Sequence, residues 1–184
     1  VYAQVLNHGF ILFDDPGYVT ENRYVRMGLS SPDLCWAFTN TDIGHWHPLT
    51  WLSHKMDVSL FGLNPAGHHL TNILLHAFNT ILLFLVLHQM TGALWRSVSV
   101  AALFAVHPIN VESVAWVSER KNVLSTFFWI LTLAAYARYV LAPVFSRYAI
   151  VFALLLLGLL VKPMLVTLPF ALLLLDVWPL GRYQ

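Results

Sequence analysis

Residues 65–90 enclose the run "ILLHAFNTILLFLVL", and no other feature constrains the fold as much. A helix needs roughly 20 consecutive apolar residues to cross the hydrocarbon core of a bilayer. This segment meets that length, and others come near it at about 94–106, 122–141, 148–161 and 164–178, with a partial one at 1–13. Composition points the same way: 58% of the 184 residues are hydrophobic and 10% charged, where a soluble domain carries about a quarter charged residues. The expected fold is all-α, a polytopic membrane helix bundle forming a single membrane domain over 1–184. The net charge of +1 is scattered rather than patched, which gives no basis for a nucleic-acid partner. One cysteine, Cys35, permits no internal disulfide.

Segment 1–13 lacks the charged start and small-residue cleavage site of a signal peptide. It is expected as the end of a first span, within a fragment of a longer chain. Residues 14–67 form a polar excursion holding six of the nine acids: Asp14, Asp15, Glu21, Asp33, Asp42 and Asp57. Ser31 is expected to cap a short helix with Pro32 at its first position. The stretch "HWHPLTWLSHKMDVSLFG" sets Trp46, Leu49, Met56 and Leu60 near one helical face, with His47, His54, Lys55 and Asp57 mostly off it. Such a helix suits the membrane interface. Asn64 then caps the next span and Pro65 opens it. Long excursions translocate regardless of charge, so 14–67 is expected outside the cytoplasm, with 108–121 on the same side. Alternating helices put Arg96, Arg138, Arg147 and Arg182 together on the other side, with Asp176 as their one acid.

Two adjacent aspartates in "GFILFDDPGY" form either a solvated turn or a catalytic carboxylate site at the membrane surface. Within the second span, His69, Asn72, His76 and Asn79 make one stripe. Asn122, Ser125, Thr132 and Tyr139 make another. Each stripe is either helix-to-helix glue or the wall of a polar cleft. In "HPINVESVAWVSERKN", His107-Pro108 ends a span, Glu112 sits in an apolar turn, and Arg120 and Lys121 open the next helix. Lys162-Pro163 should return to the same side. Carboxylates and cations gathered there suit an anionic lipid headgroup and a hydroxyl acceptor, with cations for phosphate and a carboxylate as general base. The nine histidines contain no HExxH and no i, i+4 pair. A metal site is thus weakly signalled, no cofactor is expected, and a divalent metal is left open.

The stretches "FDDPGYVTENRYV", "HPLTWLSHKMDVSLFGLNPAGHHLTNILLHAFN", "HPINVESVAWVSERKNVLS" and "LLVKPMLVTLPFALLLLDVWPL" resemble, in order and spacing, the membrane half of transmembrane-and-tetratricopeptide-repeat proteins. These are GT-C glycosyltransferases related to protein O-mannosyltransferases. The resemblance implies a GT-C fold whose long extracytoplasmic first loop carries an acidic motif and short interfacial helices. It also implies a polyprenyl- or dolichyl-phosphate sugar donor, often of mannose, and a protein Ser or Thr hydroxyl as acceptor. The acidic motif falls on Asp14 and Asp15, and the HP…E…R pattern on His107, Pro108, Glu112 and Arg120. Tetratricopeptide repeats are expected downstream of Gln184. The "LLLLDVWPL" ending looks more like bacterial members, so the expected location is a bacterial inner membrane with its site on the periplasmic side, or the endoplasmic reticulum in a eukaryote.

The resulting expectation is a glycosyltransferase with one aspartate as base. Asp15 is favoured because Pro16 holds it extended. Arg120, Lys121 and Lys162 would meet the donor phosphate, with Glu112, His107, His69, Asn72 and His76 lining the site. The partners would be membrane lipid, the lipid-linked sugar and a protein acceptor. The rival reading is a non-catalytic anchor that presents repeats to other proteins. A transporter would show inverted repeats, and none is visible.

Overall fold

The computed structural model describes residues 1–30, 34–41 and 44–181. Every regular element among them is helical. The helices are α1 (Arg23–Arg26), α2 (Leu34–Thr39), α3 (Pro48–Phe61), α4 (Pro65–Thr91), α5 (Leu94–Val106), α6 (Asn110–Ala115), α7 (Arg120–Leu141), α8 (Phe145–Val161) and α9 (Leu168–Val177). The Ser31 cap and Pro32, with Asp33, Asp42 and Arg182, lie outside the described residues.

Local chemistry sets the ends of the long helices. Asn64 accepts a hydrogen bond from the Ala66 N–H at 3.1 Å and Pro65 opens α4, as the sequence indicates. Gly62 and Gly92 close α3 and α4 with φ near +62° and +65°, a conformation that costs glycine nothing. At about 1.5 Å rise per residue, α4 is roughly 40 Å long and α7 roughly 33 Å. Two helical segments, Pro65–Thr91 and Val117–Leu141, are long and apolar enough to cross a membrane. The other expected spans are helical but shorter: α5 has 13 residues, α8 has 17 and α9 has 10. Segment 1–13, expected to end a first span, is a 3-10 helix over Tyr2–Asn7 that runs into non-helical chain.

Polarity is turned inward. On α4, His69, Asn72, His76 and Asn79 are buried while Leu74, Phe78, Ile81 and Leu85 are exposed. Asn72 donates to the Trp116 carbonyl at 2.9 Å and Asn79 to the Val123 carbonyl at 2.8 Å. The His76 ring lies 3.1 Å from the Ala105 carbonyl. The stripe therefore ties α4 to α7 and α5, as interhelical hydrogen bonds do in apolar surroundings. Because Asn72 meets Trp116 just before α7 and Asn79 meets Val123 within it, the two helices run the same way. α5 returns along α4, and α8 returns along α7. Gly158 permits that second pairing: a Cβ there would lie 2.1 Å from Leu165 Cδ2 and 3.2 Å from Phe128 Cβ.

α3 turns its polar side inward rather than to water. Its polar side, with His54, Lys55 and Asp57, is buried against the protein, while Met56 and Leu60 are exposed. Charged neighbours explain this: Asp57 meets Arg120 at 2.6 Å and Lys55 donates to the Tyr24 carbonyl at 2.6 Å. A core of Tyr18, Val19, Val25, Ala37, Trp51 and Val117 then fastens α1, α2 and α3 to the segment just before α7.

Candidate functional site at one end of the bundle

Asp15 links two segments far apart in sequence. Its Oδ2 accepts the Ile11 N–H at 2.8 Å and its Oδ1 the Ser118 N–H at 2.9 Å. The carboxylate is fully buried, so both oxygens are held by backbone amides. Asp14, its neighbour, is half-buried. Adjacent residues thus differ: the Asp15 carboxylate is fixed inside the fold, and Asp14 is partly exposed.

From Tyr18 a chain of polar groups runs to the end of α8. Tyr18 stacks on Trp51 with ring centroids 5.1 Å apart, and Lys121 Nζ lies 4.9 Å from the Tyr18 centroid. Burial pushes the Tyr18 phenol up, Lys121 draws it back, and Asp14 and Glu119 add to the rise. Lys121 pairs with Glu119 at 2.6 Å. Glu119 accepts from Asn122 Nδ2, and Asn122 Oδ1 accepts from Lys162 Nζ. The Asn122 amide also reaches Ser113 Oγ at 3.2 Å. Beside this chain opens a cleft of about 380 Å³. Its polar wall is Asn110, Ser113, Asn122 and Lys162; its apolar wall includes Trp129 and Met164. One end of the bundle therefore offers a partly exposed aspartate, two lysines and a cleft with both polar and apolar lining.

Arg120, expected at the donor phosphate, is fully buried beneath this end. Its Nε donates to Asn72 Oδ1. Its terminal nitrogens donate to Ser53 Oγ at 2.9 Å, Asp57 Oδ2 at 2.6 Å and the His68 carbonyl at 2.8 Å. Thr71 Oγ1 donates to the other Asp57 oxygen at 2.8 Å. The guanidinium is thus committed to α3 and α4 rather than to the cleft. His69, Asn72 and His76 face neighbouring elements in the same way. His107 and Glu112 are exposed. The His107 Nδ1 accepts the Ile109 N–H at 3.2 Å, a local turn contact. Among the described residues, no three His, Cys, Asp or Glu side chains converge to hold a metal ion.

His47, which precedes α3, and His54 within it border the site. Burial, with help from the neighbouring His45 and Lys121 charges, lowers His47 to about 4. Burial and the Arg120 charge push His54 well below the usual imidazole range. Both rings are neutral near pH 7.

Sequence reasoning overlooked Tyr18, Glu119, Ser113 and the Asp57 partner of Arg120. Tyr18 stands four residues after Asp14, a helical spacing that offered a local cue. Asp57 lies 63 residues from Arg120, and no local spacing announces that pair.

Comparison with known proteins agrees with the resemblance read from the motifs. The chain is 32% identical over 148 residues to the protein O-mannosyl-transferase Tmtc1 of Drosophila melanogaster, covering 77% of this chain and 17% of that protein. It is 33% identical over 147 residues to Drosophila Tmtc2, covering 76% and 16%. It is 30% identical over 151 residues to human TMTC4, covering 71% and 20%. The chain thus spans a fifth or less of the length of these relatives. These fly and human proteins lend no support to the bacterial source suggested by the "LLLLDVWPL" ending. No family model matches the chain, and no solved structure matches it.

Proposed function

We propose that this chain, which is TMTC-like over 76–77% of its length, forms part of the membrane portion of a protein glycosyltransferase, its lipid-phosphate-sugar site lying between Asp14 and Lys162. The observation that carries this reading is the Asp15–Ser118 contact. It brings the acidic turn and the lysine-bearing start of α7 to one end of the bundle across 103 residues of sequence.

In this reading Asp14 is the general base. It is the half-exposed member of the pair, and a base must reach the acceptor hydroxyl within hydrogen-bond distance. The sequence favours Asp15 as a residue held extended before Pro16, but Asp15 is helical, with φ −57° and ψ −33°, and both its oxygens already hold backbone amides, which suits a residue that positions the turn. Asp14 takes the proton from a Ser or Thr hydroxyl of the acceptor. The hydroxyl oxygen bonds to the anomeric carbon, the bond from that carbon to the phosphate oxygen breaks, and its electron pair leaves with the lipid phosphate. Lys162 and Lys121 stabilise the charge that develops there. The apolar wall at Trp129 and Met164 suits the first units of the polyprenyl tail. Mannose is the sugar that the names of the relatives suggest. The shorter helices α5, α8 and α9 complete a multi-pass bundle with flanking spans.

Lys162 is the residue on which to test this reading. In a full-length protein assayed with a polyprenyl-phosphate sugar, Lys162→Met should raise the donor KM about tenfold or more, and Lys162→Arg should restore part of it. An unchanged KM and rate in Lys162→Met would overturn the site and favour the non-catalytic anchor.

A further inference from the structure

The opposite end of the bundle carries a second set of cations. Arg138 stands in the last turn of α7 and Arg147 in the first turns of α8. With Ala135 and Ile150 they line a cleft of about 310 Å³. Arg147 donates to the Arg138 carbonyl at 2.6 Å, which fixes one guanidinium at the rim. The Arg138 side chain makes no hydrogen bond or ion pair among the described residues. No exposed carboxylate stands nearby among them either: Asp176, the acid at this end, is buried and accepts from Tyr136 at 2.8 Å on both oxygens. Two like charges therefore share a cleft with no carboxylate against them among the described residues.

We infer that this cleft binds the phosphate of an anionic phospholipid. The cleft lies at the joined ends of α7 and α8, and the side of α8 that continues from its rim exposes Ile150 and, two turns on, Leu157. A headgroup seated between the arginines would lay its acyl chains along that face, which a free phosphate has no use for. Arginine forks suit phosphate oxygens, and each basic residue near an anionic membrane surface contributes about 1 kcal/mol. The inference rests on the membrane setting of the chain and is independent of sugar transfer.

The test is native mass spectrometry of the purified protein titrated with phosphatidylglycerol, phosphatidylcholine or inorganic phosphate. The parental protein should retain phosphatidylglycerol in preference to phosphatidylcholine and should not retain phosphate alone. Arg138→Gln should weaken phosphatidylglycerol retention about fivefold, the equivalent of about 1 kcal/mol. Arg96→Gln, which removes a cation of the same end outside this cleft, should leave it unchanged. Equal retention of the two lipids, equal weakening by Arg96→Gln, or phosphate binding as tight as lipid binding would each overturn the inference. Arg138→Lys keeps the charge and should lie between parent and Arg138→Gln, so a folding defect in the glutamine variant would not decide the result.

Discussion

Taking a guanidinium out of water costs several kcal/mol even after the protein relaxes, and Arg120 meets that cost with acceptors from α3 and α4. Removing Arg120 alone would leave Asp57 charged and buried without its partner. Arg120→Met should therefore lower stability by about 3–5 kcal/mol. The double variant Arg120→Met with Asp57→Leu should recover much of that loss. Thermal unfolding in detergent measures both, and a neutral single variant would contradict the structural role given to Arg120. His47 and His54 make a second prediction at this scale. Their folded pKa values lie below the ordinary imidazole value of 6.5, so the unfolded chain binds more protons than the folded one in mildly acidic solution. Stability is then fully present above pH 6.5 and falls as pH drops toward about 4. His47→Gln should flatten the upper part of that slope, measured as midpoint temperature against pH.

Elements show why some of the fold was legible and some was not. The ends of α4 follow from Asn64, Pro65 and Gly92, all local signals, and the structure keeps them. The orientation of α3 does not follow from its own pattern, because Asp57 and Lys55 are drawn inward by Arg120 and by the Tyr24 carbonyl, partners on other elements. In the same way, the α4 stripe could not be assigned as glue until the Trp116 and Val123 carbonyls were seen opposite it. With its polar side occupied, α3 leaves Met56 and Leu60 for lipid. In proteoliposomes, Leu60→Asp should increase protease cleavage within residues 44–63 while the long helices stay inserted. Cleavage at the parental rate would argue against lipid contact on that face.

Across the whole molecule, chemistry divides by end. One end holds Asp14, Asp15, Lys121 and Lys162, the last of them lining a cleft; the other holds Arg96, Arg138 and Arg147. The grouping of arginines was readable from helix alternation alone. The site was readable as a set of residue types, and only the fold separates the groups that face the cleft from Arg120, Asn72 and His76, which hold the helices together. The central claim is that the half-exposed carboxylate does the chemistry and the buried one holds it in place. Transfer by the full-length protein from a polyprenyl-phosphate sugar, compared between Asp14→Asn and the parent with thermal stability measured alongside, tests this most directly. The account predicts a rate loss on the order of 100-fold to 10,000-fold with the unfolding midpoint unchanged, whereas transfer by Asp14→Asn at the parental rate would contradict it.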